Sequence, residues 1–296
     1  MIKILVATDL SERSAHAVQR AVQLIRRQGG GEWALLHVID DDAPAAHVQR
    51  QVQQAETLLQ SQAERLGEQA GSVPRVIVGT GEAASVIVES AQGMGADLLV
   101  VGAHRKSALR DFFVGTTLER VVRSSHLPVL RVNGPVTHEY RHALLAMDLS
   151  RTSQQALNRV RELGLASLDD LHVASAVEPV VAGAMMEAGI SAEVLENQRE
   201  LQRQQLVERL SAVGVSLSHE RLLVQIGSPE GVIGEALRQS GADLLVLGTH
   251  AREGASRFFL GSVASRLLAS LDSDALIVPP RPLRPVAPRL YPTAGR

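Results

Sequence analysis

The stretch G-A-D-L-L-V, residues 95–100, returns letter for letter at residues 241–246, about half of the 296-residue chain later. Each copy runs into a glycine, a His-containing loop, a Phe-Phe pair and then Gly-Thr or Gly-Ser. The surrounding segments 95–132 and 241–278 align without a gap. A repeat of half the chain length means two copies of one domain, not a solenoid of short units.

Each half has the common size of a single domain and is long enough to bury its own core. Hydrophobic residues make up 45% of the chain and aromatics 2%, so the cores must be built from Val, Leu, Ile and Ala. A net charge of −2 offers no bulk attraction to nucleic acid or to anionic membranes. There is no cysteine, which excludes disulfides, thiolate metal sites and a cysteine nucleophile. The opening M-I-K-I-L-V-A-T-D has too short an apolar run for a signal peptide. No apolar run reaches the roughly 18 residues that span a bilayer. The expectation is a soluble, cytoplasmic protein with no nucleic-acid or membrane partner.

Outward from the repeated stretch, short apolar runs occur at 2–8, Trp33–Ile39, 73–78, 97–101 and 128–132. Such runs, without alternation, suit strands buried on both faces. Helical patterns separate them. Residues 11–27 begin with Ser11 as N-cap and place Ala15, Val18, Val22 and Ile25 on one face. A long Gln-rich pattern covers 45–69, and shorter ones cover 83–92 and 116–124. The second half repeats the order, with strands at 143–147, 171–174, Leu222–Ile226, 243–247 and 275–278 and a long helix at 193–213. In this alignment Asp148 matches Asp9, and His172 falls on His37. Strands alternating with helices predict doubly wound α/β domains with parallel sheets.

The turn-rich stretch 133–140, N-G-P-V-T-H-E-Y, separates the halves. We divide the chain into a first domain 1–134, a linker 135–140, a second domain 141–280 and a Pro/Arg-rich tail 281–296. Pro279, Pro282, Pro285 and Pro288 are spaced by three, the repeat of a polyproline II helix. A tail of this kind serves as a semi-rigid extension or as a docking segment for a partner groove.

In open parallel sheets ligands bind beyond the carboxyl ends of strands, where the strand order reverses. Two segments of each repeat are candidates for that place. Asp9 in T-D-L-S and Asp148 in M-D-L-S close strand 1. An ionised carboxylate only accepts hydrogen bonds and suits ribose hydroxyls or an amino group. A plain helix-start Asp near the N-terminal dipole fits the same position. The second segment is the loop after strand 4, running from Gly102 to Thr116 and from Gly248 to Ser262. A glycine leaving the strand allows close backbone approach to a ligand. The returning Gly115-Thr116 or Gly261-Ser262 opens a helix whose free N–H groups suit an anion such as phosphate. His104 and His250 occupy equivalent places in these loops, where bracing the loop and general-base work both fit. No His or acid pair has metal-ligand spacing on a helix face, and no P-loop or G-x-G-x-x-G fingerprint is present.

The D-x-S after strand 1, the A-D-L-L-V-x-G strand 4 and the final loop resemble the universal stress protein family, in its tandem two-domain form. The resemblance covers nearly everything from Ile2 to Pro279. It implies five-stranded parallel sheets of order 3-2-1-4-5 with helices on both faces. It also implies domain pairing through strand 5, here as an intramolecular pseudo-dimer, with a homodimer as the alternative. In the family's nucleotide-binding branch it implies ATP, with Mg²⁺ arriving on the nucleotide, and adenine against the end of strand 2, placed here at Val38 and Val173. That branch carries G-x2-G-x9-G-[ST]. The matching residues are Gly102, Arg105, Gly115 and Thr116 in repeat 1, and Gly248, Ala251, Gly261 and Ser262 in repeat 2. Neither repeat has the middle glycine, and a further loop glycine is present as Gly254 but replaced by Ala108. The contrast predicts nucleotide binding in repeat 2 and a weakened site in repeat 1. The expected role is regulatory binding in a stress response. A partner-binding scaffold without nucleotide is the alternative, and a slow ATP hydrolase lacks an evident base.

Overall fold

A computed structural model describes residues 1–103, 116–179, 192–249 and 261–280. The first half runs β1 (Ile4–Ala7), α1 (Glu12–Arg27), β2 (Trp33–Ile39), α2 (Ala45–Ala70), β3 (Arg75–Thr80), α3 (Ala83–Met94), β4 (Leu98–Gly102), α4 (Thr117–Ser124) and β5 (Val129–Val132). The second runs β6 (Ala143–Ala146), α5 (Arg151–Leu163), β7 (Leu171–Val177), α6 (Ala192–Ala212), a 3₁₀ turn at His219–Arg221, β8 (Leu222–Ile226), α7 (Pro229–Ser240), β9 (Leu244–Gly248), α8 (Ser262–Ser270) and β10 (Asp274–Val278). Among the described residues no helix is long and apolar enough to cross a membrane.

All ten strands form one sheet in the order β3-β2-β1-β4-β5-β10-β9-β6-β7-β8. Within each half the pairs are parallel. At the seam β5 and β10 pair antiparallel, with Leu130 opposite Leu276. The domain pairing expected through strand 5 therefore occurs inside the chain. Because the seam is antiparallel, the carboxyl ends of the two strand sets point in opposite directions.

The unbroken apolar runs follow from helices on both faces. Ile4, Val6, Leu98 and Val100 pack into one core layer with residues of α1, α2, α5 and α6. Their neighbours Leu5, Leu99 and Val101 pack into the other, against α3, α4, α7 and α8. Each layer draws residues from both halves, so the cores are continuous across the seam. Ser11 caps α1 by accepting the Ser14 N–H, and Ser150 caps α5 through Ser153, as the repeated D-L-S predicts.

The register corrects one alignment. Ala7 pairs with Leu36, and its counterpart Ala146 pairs with Ala174. His172 pairs with Leu144 and therefore takes the place of Ala34, not of His37. The residue equivalent to His37 is Ser175. The chain between the two strands is one residue shorter in the second half, and matching the two histidines slipped the strand.

Candidate ligand site at the carboxyl ends of the strands

Each half has a cavity beyond the carboxyl ends of its first and fourth strands. The first, about 530 Å³, lies between Asp9, Val38, Gly102 and the start of α4. The second, about 510 Å³, lies between Asp148, Ala176, Gly248 and the start of α8. Both volumes fall in the range of small-molecule sites. The walls correspond pairwise: Ile87 with Ile233, and Val101 with Leu247.

The two acids line their cavities while also organising the helix that follows. Asp9 Oδ1 accepts the Ser11 N–H at 3.0 Å. Burial works to raise its pKa, but hydrogen bonds from Ser11 and Ser14 prevail and hold the carboxyl below its ordinary value. The backbone is tight here: Leu10 has φ +62°, and its N–H bonds Thr8 Oγ1 at 3.1 Å. Asp148 Oδ1 accepts the Ser150 N–H at 2.9 Å and the hydroxyls of Ser150 and Ser153. Both acids thus organise the helix start while lining the cavity.

Gly102 and Gly248 do permit close approach, and the approaching backbone is the protein's own. A Cβ on Gly102 would meet Arg13 O at 3.1 Å, and one on Gly248 would meet the Thr152 carbonyl group at 3.0 Å. The glycines let the first turns of α1 and α5 seat against the ends of β4 and β9.

The helix starts differ between the halves. Thr116 is the N-cap of α4, and its hydroxyl accepts the Glu119 N–H at 3.2 Å. In α8 the N-cap is Gly261, no side-chain cap bond forms among the described residues, and Ser262 is the first helical residue and exposed. Beside each cavity an ion pair ties the two neighbouring helices: Arg120 to Glu82 at 2.8 Å and Arg266 to Glu230 at 3.0 Å.

Val38 lines the first cavity. Val173 does not line the second. It is fully buried in mid-strand opposite Leu145, three residues short of the equivalent place. That place is held by Ala176, and Ser175 and Glu178 also line the cavity. The second strand of each half carries no local motif that marks its end, and its histidines do not share a register position, so only the pairing register could have located these residues. Arg105, Gly115, His250, Ala251 and Gly254, with His104 and Ala108, lie outside the described residues.

A model of the universal stress protein family matches residues 1–133 and again 139–279. Universal stress protein E of Salmonella typhi is 26% identical over 300 residues, covering 94% of this chain and 94% of its own length. Universal stress protein A homolog 1 of Coxiella burnetii is 29% identical over 141 residues, 47% of this chain and 96% of its own. The crystal structure of a universal stress protein from Archaeoglobus fulgidus shares the fold with a TM-score of 0.69 at 19% identity, over 95% of this chain and 98% of that one. Matched twice along its length, on two halves of one architecture, the chain belongs to the universal stress protein family.

Proposed function

We propose that this protein is a regulatory stress protein that binds adenine nucleotide, ATP carried with Mg²⁺, in its second cavity. The observation that carries the reading is the open first turn of α8 at one side of that cavity. Unsatisfied N–H groups and the helix dipole favour a phosphate there. Asp148, on the neighbouring strand end, would accept ribose hydroxyls. The small side chains of Ala174 and Ala176 would leave room for the base. The sequence agrees, because the loop glycine Gly254 and the small Ala251 belong to this half. The reading is one of binding that acts through conformation or partners rather than turnover.

Base extraction of the purified protein followed by chromatography tests for carried nucleotide, and calorimetric titration with Mg-ATP tests affinity. Gly261→Asp is the informative variant. Gly261 has φ −56° and open space around a would-be Cβ, so the substitution fits sterically. Asp in place of Gly at an N-cap alters stability by only a few tenths of a kcal/mol. It also puts a carboxylate where phosphate would sit, so ATP affinity should fall about tenfold with little change in Tm. Unchanged affinity would remove the phosphate from α8. No extracted nucleotide and no heat with Mg-ATP would leave the scaffold reading.

A further inference from the structure

A buried cluster around Arg20 has an open counterpart around Arg159. The caps Ser11 and Ser150 correspond, and at the same offset Arg20 of α1 corresponds to Arg159 of α5, Gln23 to Glu162 and Tyr140 to Met1. Each arginine is held by the residue three places on: Arg20 by Gln23 at 2.5 Å, Arg159 by Glu162 at 2.6 Å. What faces them differs. Arg20 is buried over the Tyr140 ring, with the Asp274 carboxylate against its guanidinium. Met1 is 94% exposed and leaves the equivalent place beside Arg159 open. Pro128 stands where Asp274 stands. Among the described residues no ring lies under Arg159. The space is an open cleft of about 570 Å³ between the last turns of α1 and α5, with Ile2, Arg27, Asp97, Arg159, Arg161 and Glu162 in its walls. Its two acids are engaged, Asp97 by the Lys3 N–H at 2.9 Å and Glu162 by Arg159. Arg161 donates to the neutral Val213 carbonyl and meets no carboxylate among the described residues.

We propose that this cleft binds a small aromatic carboxylate of the benzoate class, with its ring under the Arg159 guanidinium and its carboxylate toward Arg159 and Arg161. The Tyr140 hydroxyl and Asp274 touch at 2.5 Å, so a ring that bears its carboxylate directly fills the places of both. The ring gains from the cation above it. The carboxylate gains from charge-assisted hydrogen bonds to a planar guanidinium. Among the described residues the cleft shares no wall with either strand-end cavity, so it stands whatever those cavities bind.

Ile2 lines the cleft, and Ile87 and Ile233 line the two strand-end cavities, so isoleucine-methyl NMR of the full chain separates the three places. Ile2→Val, Ile87→Val and Ile233→Val assign the signals. Benzoate should shift the Ile2 methyl with half-saturation near about 1 mM and leave Ile87 and Ile233 in place. Cyclohexanecarboxylate, which has the charge without the π face, should need about two- to fivefold more. Acetate should leave Ile2 unmoved at the same concentrations. Arg159→Leu should weaken the benzoate response about tenfold. Arg161→Gln, a change at an exposed position, should weaken it about threefold and serves if Arg159→Leu folds poorly. Four results would overturn the proposal: an Ile2 methyl that benzoate leaves unmoved up to about 10 mM, one that acetate or cyclohexanecarboxylate shifts as readily, a benzoate response at Ile87 or Ile233 in place of Ile2, or folded arginine variants that bind benzoate as the parent does.

Discussion

Gly102 and Gly248 hold the same place in the two halves for a reason that lies in the helix behind them. A methyl group at Gly248 would stand 3.0 Å from the carbonyl carbon and oxygen of Thr152, which are backbone atoms and cannot swing aside. Gly248→Ala should therefore push α5 off the end of β9 and cost about 1–3 kcal/mol, the range for overpacking. Urea unfolding checks this, and a variant as stable as the parent would show that the helix start moves without cost. Any loss of ligand affinity in this variant has to be read against the loss of stability, because the same helix start carries Ser150 and Ser153, whose hydroxyls organise Asp148. Asp9 and Asp148 carry the same lesson. The D-L-S triplet was legible as a helix start and as a cavity wall. In each half one carboxylate bonds the helix start and lines the cavity at once.

At the scale of elements, α3 illustrates how a cap ties helices around the first cavity. Glu82 accepts the N–H groups of Ala84 and Ser85 at 2.8 and 2.9 Å and also pairs with Arg120 of α4. Burial works to raise its pKa, but the Ser85 hydroxyl, the two backbone N–H groups and Arg120 prevail and hold it below the ordinary value. A carboxylate depressed in the folded state stabilises above its unfolded pKa, and that stability is lost as pH falls through the lowered folded value. Glu82→Ala should cost about 1 kcal/mol at pH 7. The difference from the parent should shrink once the pH drops below about 4. Denaturant unfolding of both proteins across that range gives the comparison, and a difference that persists unchanged at pH 3 would deny the charge its part. Most elements were legible because burial on both faces leaves apolar runs and because Ser caps mark helix starts. Strand ends were less so. The run from Ile2 looked like strand throughout, yet β1 begins at Ile4, because the N–H groups of Ile2 and Lys3 turn to the side chains of Gln28 and Asp97. The register of β7 was not readable, since the one polar landmark it seemed to share with β2, a histidine, sits at a different register position in each strand.

At the scale of the whole molecule, the seam between the halves is specified by charge as well as by shape. Asp274, at the start of β10, accepts the Tyr140 hydroxyl at 2.5 Å, the Asn133 N–H at 2.8 Å and an N–H of Arg20 at 3.3 Å. Arg20 lies over the Tyr140 ring at 3.9 Å and donates to the His138 carbonyl. Burial and the Asp274 carboxylate push the Tyr140 phenol well above its ordinary pKa, so it stays a donor. Arg131 of β5 donates to the carbonyls of Leu271 and Ser273 and to Asn133. These partners are not interchangeable between halves. Pro128 stands in β5's half where Asp274 stands, and Ile277 stands where Arg131 stands. If two chains paired β5 with β5, Arg20 and Arg131 would be buried without their carboxylate. That penalty favours β5 with β10 of the same chain over a homodimer through this edge. Val129 lies opposite Ile277, and paired residues in antiparallel strands are about 4.5–5.5 Å apart, within reach of a disulfide. In a chain without cysteine, Val129→Cys with Ile277→Cys should oxidise to a cross-link inside one chain at every protein concentration. Disulfide-linked dimers that grow with concentration would mean that the seam forms between copies. Adding Asp274→Ala breaks the buried pair at a cost of about 3–5 kcal/mol. It should slow formation of the internal cross-link and lower the urea midpoint of the reduced protein, whereas an unchanged midpoint would leave the seam held by its apolar strands alone.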